Sequence, residues 1–222
     1  MSEFPHVPLD FSRFSEEEMR ARAEAFYRAL GRRRSTRDFS DRSVPRSLIE
    51  TAIRTASTAP SGAHKQPWTF VAVSNADVKR RIREAAEEEE RAFYAERATP
   101  EWLEALAPIG TDWRKPFLET VPWIVVLFAQ SYGLDGDGAR DKHYYVQESC
   151  GIAAGFFITA LHQMGLATLT HTPSPMRFLN EILDRPRHER PYILFPVGFP
   201  AEHATVPDLR RKSLDEVAVW FE

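Results

Sequence analysis

The 222 residues are 43% hydrophobic and 27% charged with a formal net charge of −3, values that fit one soluble globular domain with a sizeable core and give no electrostatic reason to expect nucleic acid or an anionic membrane as partner. Cys150 is the only cysteine, which excludes an intrachain disulfide. Met1 to Tyr27 holds no apolar run and carries Glu16-Glu17-Glu18, so neither a signal peptide nor a membrane anchor is expected and the expected location is the cytoplasm.

Residues 1–14 are aperiodic and read as an extended arm. Ser15 starts a helix as its cap, with Glu18 closing a capping box; Gly31 stops it after Leu30. Arg32-Arg33-Arg34-Ser35-Thr36-Arg37 follows. So dense an arginine cluster is either a solvated basic loop, a nucleic-acid patch or a phosphate site, and in an acidic chain a single small phosphate is the better fit. Val44-Pro45 opens a second helix that ends near Ser57. Thr58 to Trp68 holds two prolines and one glycine between that helix and a strand at 69–74. It is a rigid loop, either a structural connection or a ligand-facing one.

Asn75 or Asp77 caps the next helix, drawn from Val78 to about Arg97, and Thr99-Pro100 breaks it. Residues 101–120 are weakly patterned and read as a short helix and a cover. Trp123 to Phe128 is a continuous apolar strand buried on both faces. Ser131 to Arg140, rich in Gly and Asp, reads as a loop. His143 to Met164 is the longest helix pattern and is apolar nearly all round at 151–157, which suits burial or a partner. A strand at 167–172, a helix at 176–183, a core strand at 192–200 and a basic tail at 210–212 complete the chain.

Most familiar chemistries are missing. The seven histidines show no metal-ligand spacing, so no metal is expected. There is no Gly-x-Ser-x-Gly elbow and no phosphate-binding glycine loop. Cys150, within an apolar helix, reads as a small core residue. What remains is an arginine cluster, a loop of small residues beside Trp68 and a second basic cluster. Together they suit one phosphate and one planar, amphipathic ring, which is the chemistry of FMN.

Arg33-Arg34-Ser35-x-Arg37, Ala59-Pro60-Ser61-Gly62-Ala63-His64-x-x-Pro67-Trp68 and Thr205-Val206-Pro207-Asp208-Leu209-x-Arg211-Lys212 resemble the nitroreductase superfamily, and within it the iodotyrosine deiodinase family, over roughly residues 30–220. The resemblance implies an α+β, nitroreductase-like FMN-binding fold: a central, mostly antiparallel sheet flanked by helices, in an intertwined homodimer with flavin sites at the interface. It implies a single domain over 1–222, with the arm at 1–14 and an active-site lid at 88–118. By the same resemblance Arg33, Arg34, Ser35, Arg37 and Arg211 hold the phosphate and ribityl side, with Arg210 and Lys212 as register alternatives to Arg211. Pro60, Ser61 and Gly62 line the ring. Thr170, His171 and Thr172 lie at its redox edge, with the Thr172 hydroxyl addressing flavin N5 as the catalytic contact. His171 stands where relatives often carry threonine.

The lid discriminates within the superfamily. Glu90 and Tyr94 share a helix face, and Lys115 follows in Trp113-Arg114-Lys115. A carboxylate, a phenol and an ammonium can hold an amino-acid zwitterion, with Ala63 backing the substrate phenolate. Register alone leaves Glu87 and Glu90 open; the resemblance selects Glu90, and the other three glutamates of 87–90 read as a solvated face. The implied function is FMN-dependent reductive dehalogenation of halotyrosines, with electrons from NAD(P)H or a reductase. The alternatives are a general nitroreductase or quinone reductase, and a flavoprotein that binds halotyrosine without turnover.

Overall fold

The computed structural model describes residues 4–134 and 136–222; residues 1–3 of the expected arm and Asp135 of the expected loop lie outside them. The chain forms two compact units, Met1–Arg33 and Arg34–Glu222. The first is helix α1 (Glu16–Gly31) and the segment before it. Ser15 Oγ accepts the Glu18 N–H at 3.2 Å, but the Glu18 carboxylate turns to Arg22, so only half of the expected capping box forms. Gly31 is the last helical residue, and Arg32 closes the helix at φ −81° without a left-handed turn. Ion pairs Glu16–Arg20, Glu18–Arg22 and Glu24–Arg28 run along this exposed helix.

The second unit is built on an antiparallel sheet in the order β1 (Trp68–Val73), β2 (Trp123–Gln130), β6 (Glu189–Gly198), β5 (Ala167–Thr168). Alternation along β2 shows why its sequence is apolar throughout. Ile124, Val126 and Phe128 enter one core, while Val125, Leu127 and Ala129 enter the other. Helices α2 (Arg46–Ala56) and α6 (Val146–Gln163) cover the second core through Ile49, Ala52, Ala153 and Phe157. Helices α3 (Ala76–Ala92), α5 (Phe117–Thr120) and α7 (Phe178–Ile182) cover the first through Ile82, Ala86, Leu118 and Leu179. The expected α+β sandwich is therefore present. In β6 the register steps from Leu127↔Ile193 to Phe128↔Pro191. Tyr192 is the extra residue of a bulge, placed beside a proline that has no N–H to donate.

Several elements differ from expectation. The helix drawn to Arg97 ends as α3 at Ala92, and a π turn spans Phe93–Arg97, with the Ala98 N–H reaching back to Phe93 O at 2.8 Å. Asn75, not Asp77, caps α3 by accepting the Val78 N–H. Residues 101–120 contain α4 (Pro100–Leu106) as well as α5. The loop expected at 131–140 carries β3 (Tyr132–Leu134), paired with β4 (Arg140–Lys142). The strand expected at 167–172 is cut to two residues; beyond it the His171 N–H and C=O exchange bonds with Leu194 at 2.9 and 3.0 Å. Cys150 is buried as expected, its S–H donating to Pro67 O at 3.3 Å, and burial pushes its pKa up to about 12.

Phe157 of α6 is fully buried, its ring 5.6 Å from that of Phe70 and 5.1 Å from that of Phe195. Phe157→Ala is expected to cost roughly 3–5 kcal/mol, measured as a lowered urea midpoint at unchanged slope. An unmoved midpoint would show that α6 does not pack on this sheet.

Candidate active site

The loop between α2 and β1 is held in an unusual backbone. Ala63, His64 and Gln66 have φ of 50°, 55° and 46°, a region that costs non-glycine residues on the order of 1–3 kcal/mol each. Four contacts hold it. The Gly62 N–H donates to Ser149 Oγ at 3.4 Å and the Gln66 N–H to Ser61 Oγ at 2.9 Å. Lys65 Nζ pairs with Asp141 of β4 at 2.6 Å, and Cys150 caps Pro67 O. A Cβ on Gly62 would lie 2.6 Å from Tyr144 O, so glycine is required. Pro60 and Ala63 are exposed, with Ser61 and Gly62 half-buried.

The arginine segment lies along the sheet edge. Ser35 forms a parallel bridge with Thr168, and the Thr36 N–H donates to Thr168 O at 3.2 Å. Thr36 is buried, which turns Ser35 and Arg37 to the other side. The Arg34 guanidinium donates to Pro207 O, tying this segment to the tail. Arg37 is half-buried, with no carboxylate partner among the described residues, and desolvation lowers its pKa. In the tail Arg210 pairs with Glu216 at 2.7 and 2.9 Å. Arg33 belongs to the N-terminal unit, its N–H on Leu30 O.

A cleft brings together Arg37, Glu90, Tyr94, Lys115, Thr170 and Thr172. Lys115 is only 3% exposed. Its Nζ lies 3.4 Å from Glu90 Oε2 and 3.3 Å from Thr111 Oγ1, and donates to Asp112 O. Burial raises the Glu90 pKa and lowers that of Lys115, and each charge partly offsets the other's shift. The Tyr94 hydroxyl donates to Thr111 O at 3.2 Å, and burial raises its pKa. Because Tyr94 lies in the π turn, it does not follow Glu90 on a regular α-helical face; both still line one cleft. Phe93 and Trp102, edge-on at 4.8 Å, add an aromatic wall that the sequence reading passed over. Glu87, read as solvated, is buried. An acidic run carries no periodic mark of which member turns inward.

Residues 60–63, Arg34, Ser35 and Arg211 do not line this cleft. Thr170 and Thr172 are exposed on one side of their extended segment, while His171 between them is 6% exposed. Its ring stands edge-on to Phe117 at 6.1 Å, and its Nε2 is buried with no hydrogen-bond partner among the described residues. The period of two that separates its side chain from the threonines is legible in the sequence.

Residues 30–199 match the model of the nitroreductase family. A solved structure of oxidized iodotyrosine deiodinase bound to FMN and 3-iodo-L-tyrosine superposes with a TM-score of 0.75, at 27% identity over 89% of this chain and 98% of that one. The chain belongs to the nitroreductase family. Within it, the chain is 54% identical to the iodotyrosine deiodinase of Haliscomenobacter hydrossis over 97% of both chains. It is 44% identical to human iodotyrosine deiodinase 1 over 96% of this chain and 74% of that protein.

Burial, helped by Lys115 and Arg37, lowers the His171 pKa to about 3. The native state therefore keeps this imidazole neutral, while the unfolded chain takes a proton below about pH 6.5. Stability from this group is whole above that pH and falls as pH drops towards 3, by about 1.4 kcal/mol per pH unit within the window. Unfolding followed from pH 7 to 4 is expected to show a shallower acid loss in His171→Leu than in the parent. Equal slopes would show that His171 is not buried neutral.

Proposed function

We propose that this protein is an FMN-dependent reductive dehalogenase of halotyrosines. The observation that carries the reading is the pair of buried Lys115 and half-buried Glu90, in one cleft with Thr170 and Thr172 and walled by Tyr94, Phe93 and Trp102. An apolar site would not bury an opposed carboxylate and ammonium without return. An amino-acid zwitterion supplies that return: its ammonium takes Glu90 and its carboxylate takes Lys115, exchanging one ion pair for two. Tyr94 adds a hydroxyl, and closure of 88–118 excludes water from the ring.

The residues present fit FMN. Arg37 is desolvated, with no carboxylate partner among the described residues, and Thr170 and Thr172 line the same cleft. Arg34, Ser35, Arg37 and Arg211 would hold the phosphate and ribityl side, and Thr172 would donate its hydroxyl at the ring's redox edge. His171 would back the threonines through its backbone bonds to Leu194. Bound and reduced FMN supplies two electrons, so that halotyrosine, two electrons and one proton give tyrosine and halide. Pro60, Ser61, Gly62 and Ala63 would complete the site from a second copy across the exposed Ile152 and Phe156 of α6. An external reductant, NAD(P)H or a reductase, would recharge the cofactor. We assign Arg34–Glu222 as the catalytic body and place the protein in the cytoplasm. Among the described residues no helix is long and apolar enough to cross a membrane.

Glu90→Gln and Lys115→Met should each weaken halotyrosine binding about ten- to a hundred-fold, the worth of one charge-assisted hydrogen bond. Halophenol, which has no zwitterion, should lose far less, and FMN content should not change. Unchanged relative affinity for the two ligands would reduce the protein to a flavin reductase without amino-acid selectivity. Thr172→Ala should retain FMN while halide release falls relative to nitro-group reduction; an unaltered ratio would remove Thr172 from the reaction.

A further inference from the structure

We infer that Glu87 is a positioning residue that sets the lid lysine in place before substrate arrives; this rests on the zwitterion reading above. One face of α3 is a clamp. Lys79, Arg83 and Glu87 stand four residues apart, so they project on the same side, and all three bind the segment 115–121. Lys79 Nζ donates to Glu119 O at 2.9 Å and Val121 O at 2.6 Å. Arg83 Nε pairs with Glu119 Oε1 at 2.6 Å, and its Nη1 with Glu87 Oε2 at 2.7 Å. The other carboxylate oxygen, Glu87 Oε1, accepts the Lys115 backbone N–H at 2.7 Å.

Glu90, three residues further on, takes the same lysine by its side chain. One helix thus fixes Lys115 twice, at its main chain through Glu87 and at its ammonium through Glu90. The excursion from Phe93 to Arg114 is closed at its base by the first of these bonds. Glu87 is 9% exposed and its carboxylate is charge-paired with Arg83, so its bond to the amide is charge-assisted and little competed by water. The four-carbon lysine stem has many rotamers. Pinning its Cα leaves only the side chain to be ordered, and Glu90 and the Thr111–Asp112 acceptors order that. Binding then need not supply the entropy of placing the ammonium.

The test compares binding of halotyrosine and halophenol to the FMN-loaded protein. Glu87→Leu is expected to weaken halotyrosine about ten-fold, the order expected for one charge-assisted bond, while halophenol changes less than about two-fold. Glu87→Gln keeps an acceptor for the Lys115 amide and is expected to restore most of the discrimination. Lys79→Met cuts the clamp at its other end without touching Lys115, so it should lower the melting temperature and leave the ratio unchanged. In the unaltered holoprotein without substrate, the Lys115 amide should be strongly protected from hydrogen exchange, which checks the same bond if Glu87→Leu does not fold. Equal losses for both ligands in Glu87→Leu, a Lys79→Met ratio shifted as far as that of Glu87→Leu, or an unprotected Lys115 amide would each overturn the inference. If Glu90→Gln and Lys115→Met alter the ratio and Glu87→Leu does not, only the positioning role fails. If none of the three alters it, the zwitterion reading fails first.

Discussion

A lysine that is only 3% exposed has its charge answered by oxygen atoms, and around Lys115 the answer recruits most of the site. Glu90 supplies the countercharge, Thr111 and Asp112 supply acceptors, and Glu87 holds the main chain. Each demands something of the fold. Glu87 and Glu90 reach Lys115 only because α3 lies flat on the sheet through Ile82 and Ala86. Thr111 comes within reach because residues 93–114 leave α3 and return to α5. The π turn at 93–97 lets the Tyr94 hydroxyl meet Thr111 O. Desolvation raises the Glu90 pKa and lowers that of Lys115, so burial disfavours both charges, and the proposed zwitterion would answer each of them.

The sheet delivers the side of the cleft that carries Thr170 and Thr172. β5 pairs with β6 for two residues only, and His171 then keeps contact through one bridge to Leu194. The extended backbone between them turns Thr170 and Thr172 outward and His171 inward, so one buried ring anchors two exposed hydroxyls. Beside them, pairing of Ser35 and Thr36 with Thr168 places Arg37 in the same cleft. The loop at 60–66 stands apart. Three positive φ angles are held by Ser149, Asp141 and Ser61, contacts that fix the backbone of this loop in place.

The parts legible in the sequence were those where one physical demand dominates. Trp123 to Phe128 could only be a strand covered on both faces, and it is. Asn75 and Ser15 signalled their helix starts, and Cys150 its burial. Spacing puts Glu90 and Tyr94 together but leaves Glu87 open, the resemblance selects Glu90 and Lys115, and the cleft gathers all three. The illegible parts depend on tertiary context. β3 and β4 are three residues each in a Gly- and Asp-rich stretch, where turn signals outweigh strand propensity. Glu87 looks like Glu88 and Glu89 in sequence, and only its bonds to Arg83 and Lys115 separate it. The π turn follows from the bond between Ala98 and Phe93, which no pattern announces.

Halide release decides most directly whether the cleft does this chemistry. FMN-loaded protein would be reduced without oxygen to its two-electron state, mixed with a slight excess of 3-iodo-L-tyrosine, and assayed for iodide, tyrosine and flavin oxidation. Halotyrosine dehalogenation predicts iodide and tyrosine in equal amounts, each matching the flavin reoxidised. Flavin that stays reduced beside bound, intact iodotyrosine, while a nitroaromatic reoxidises it, would contradict that chemistry.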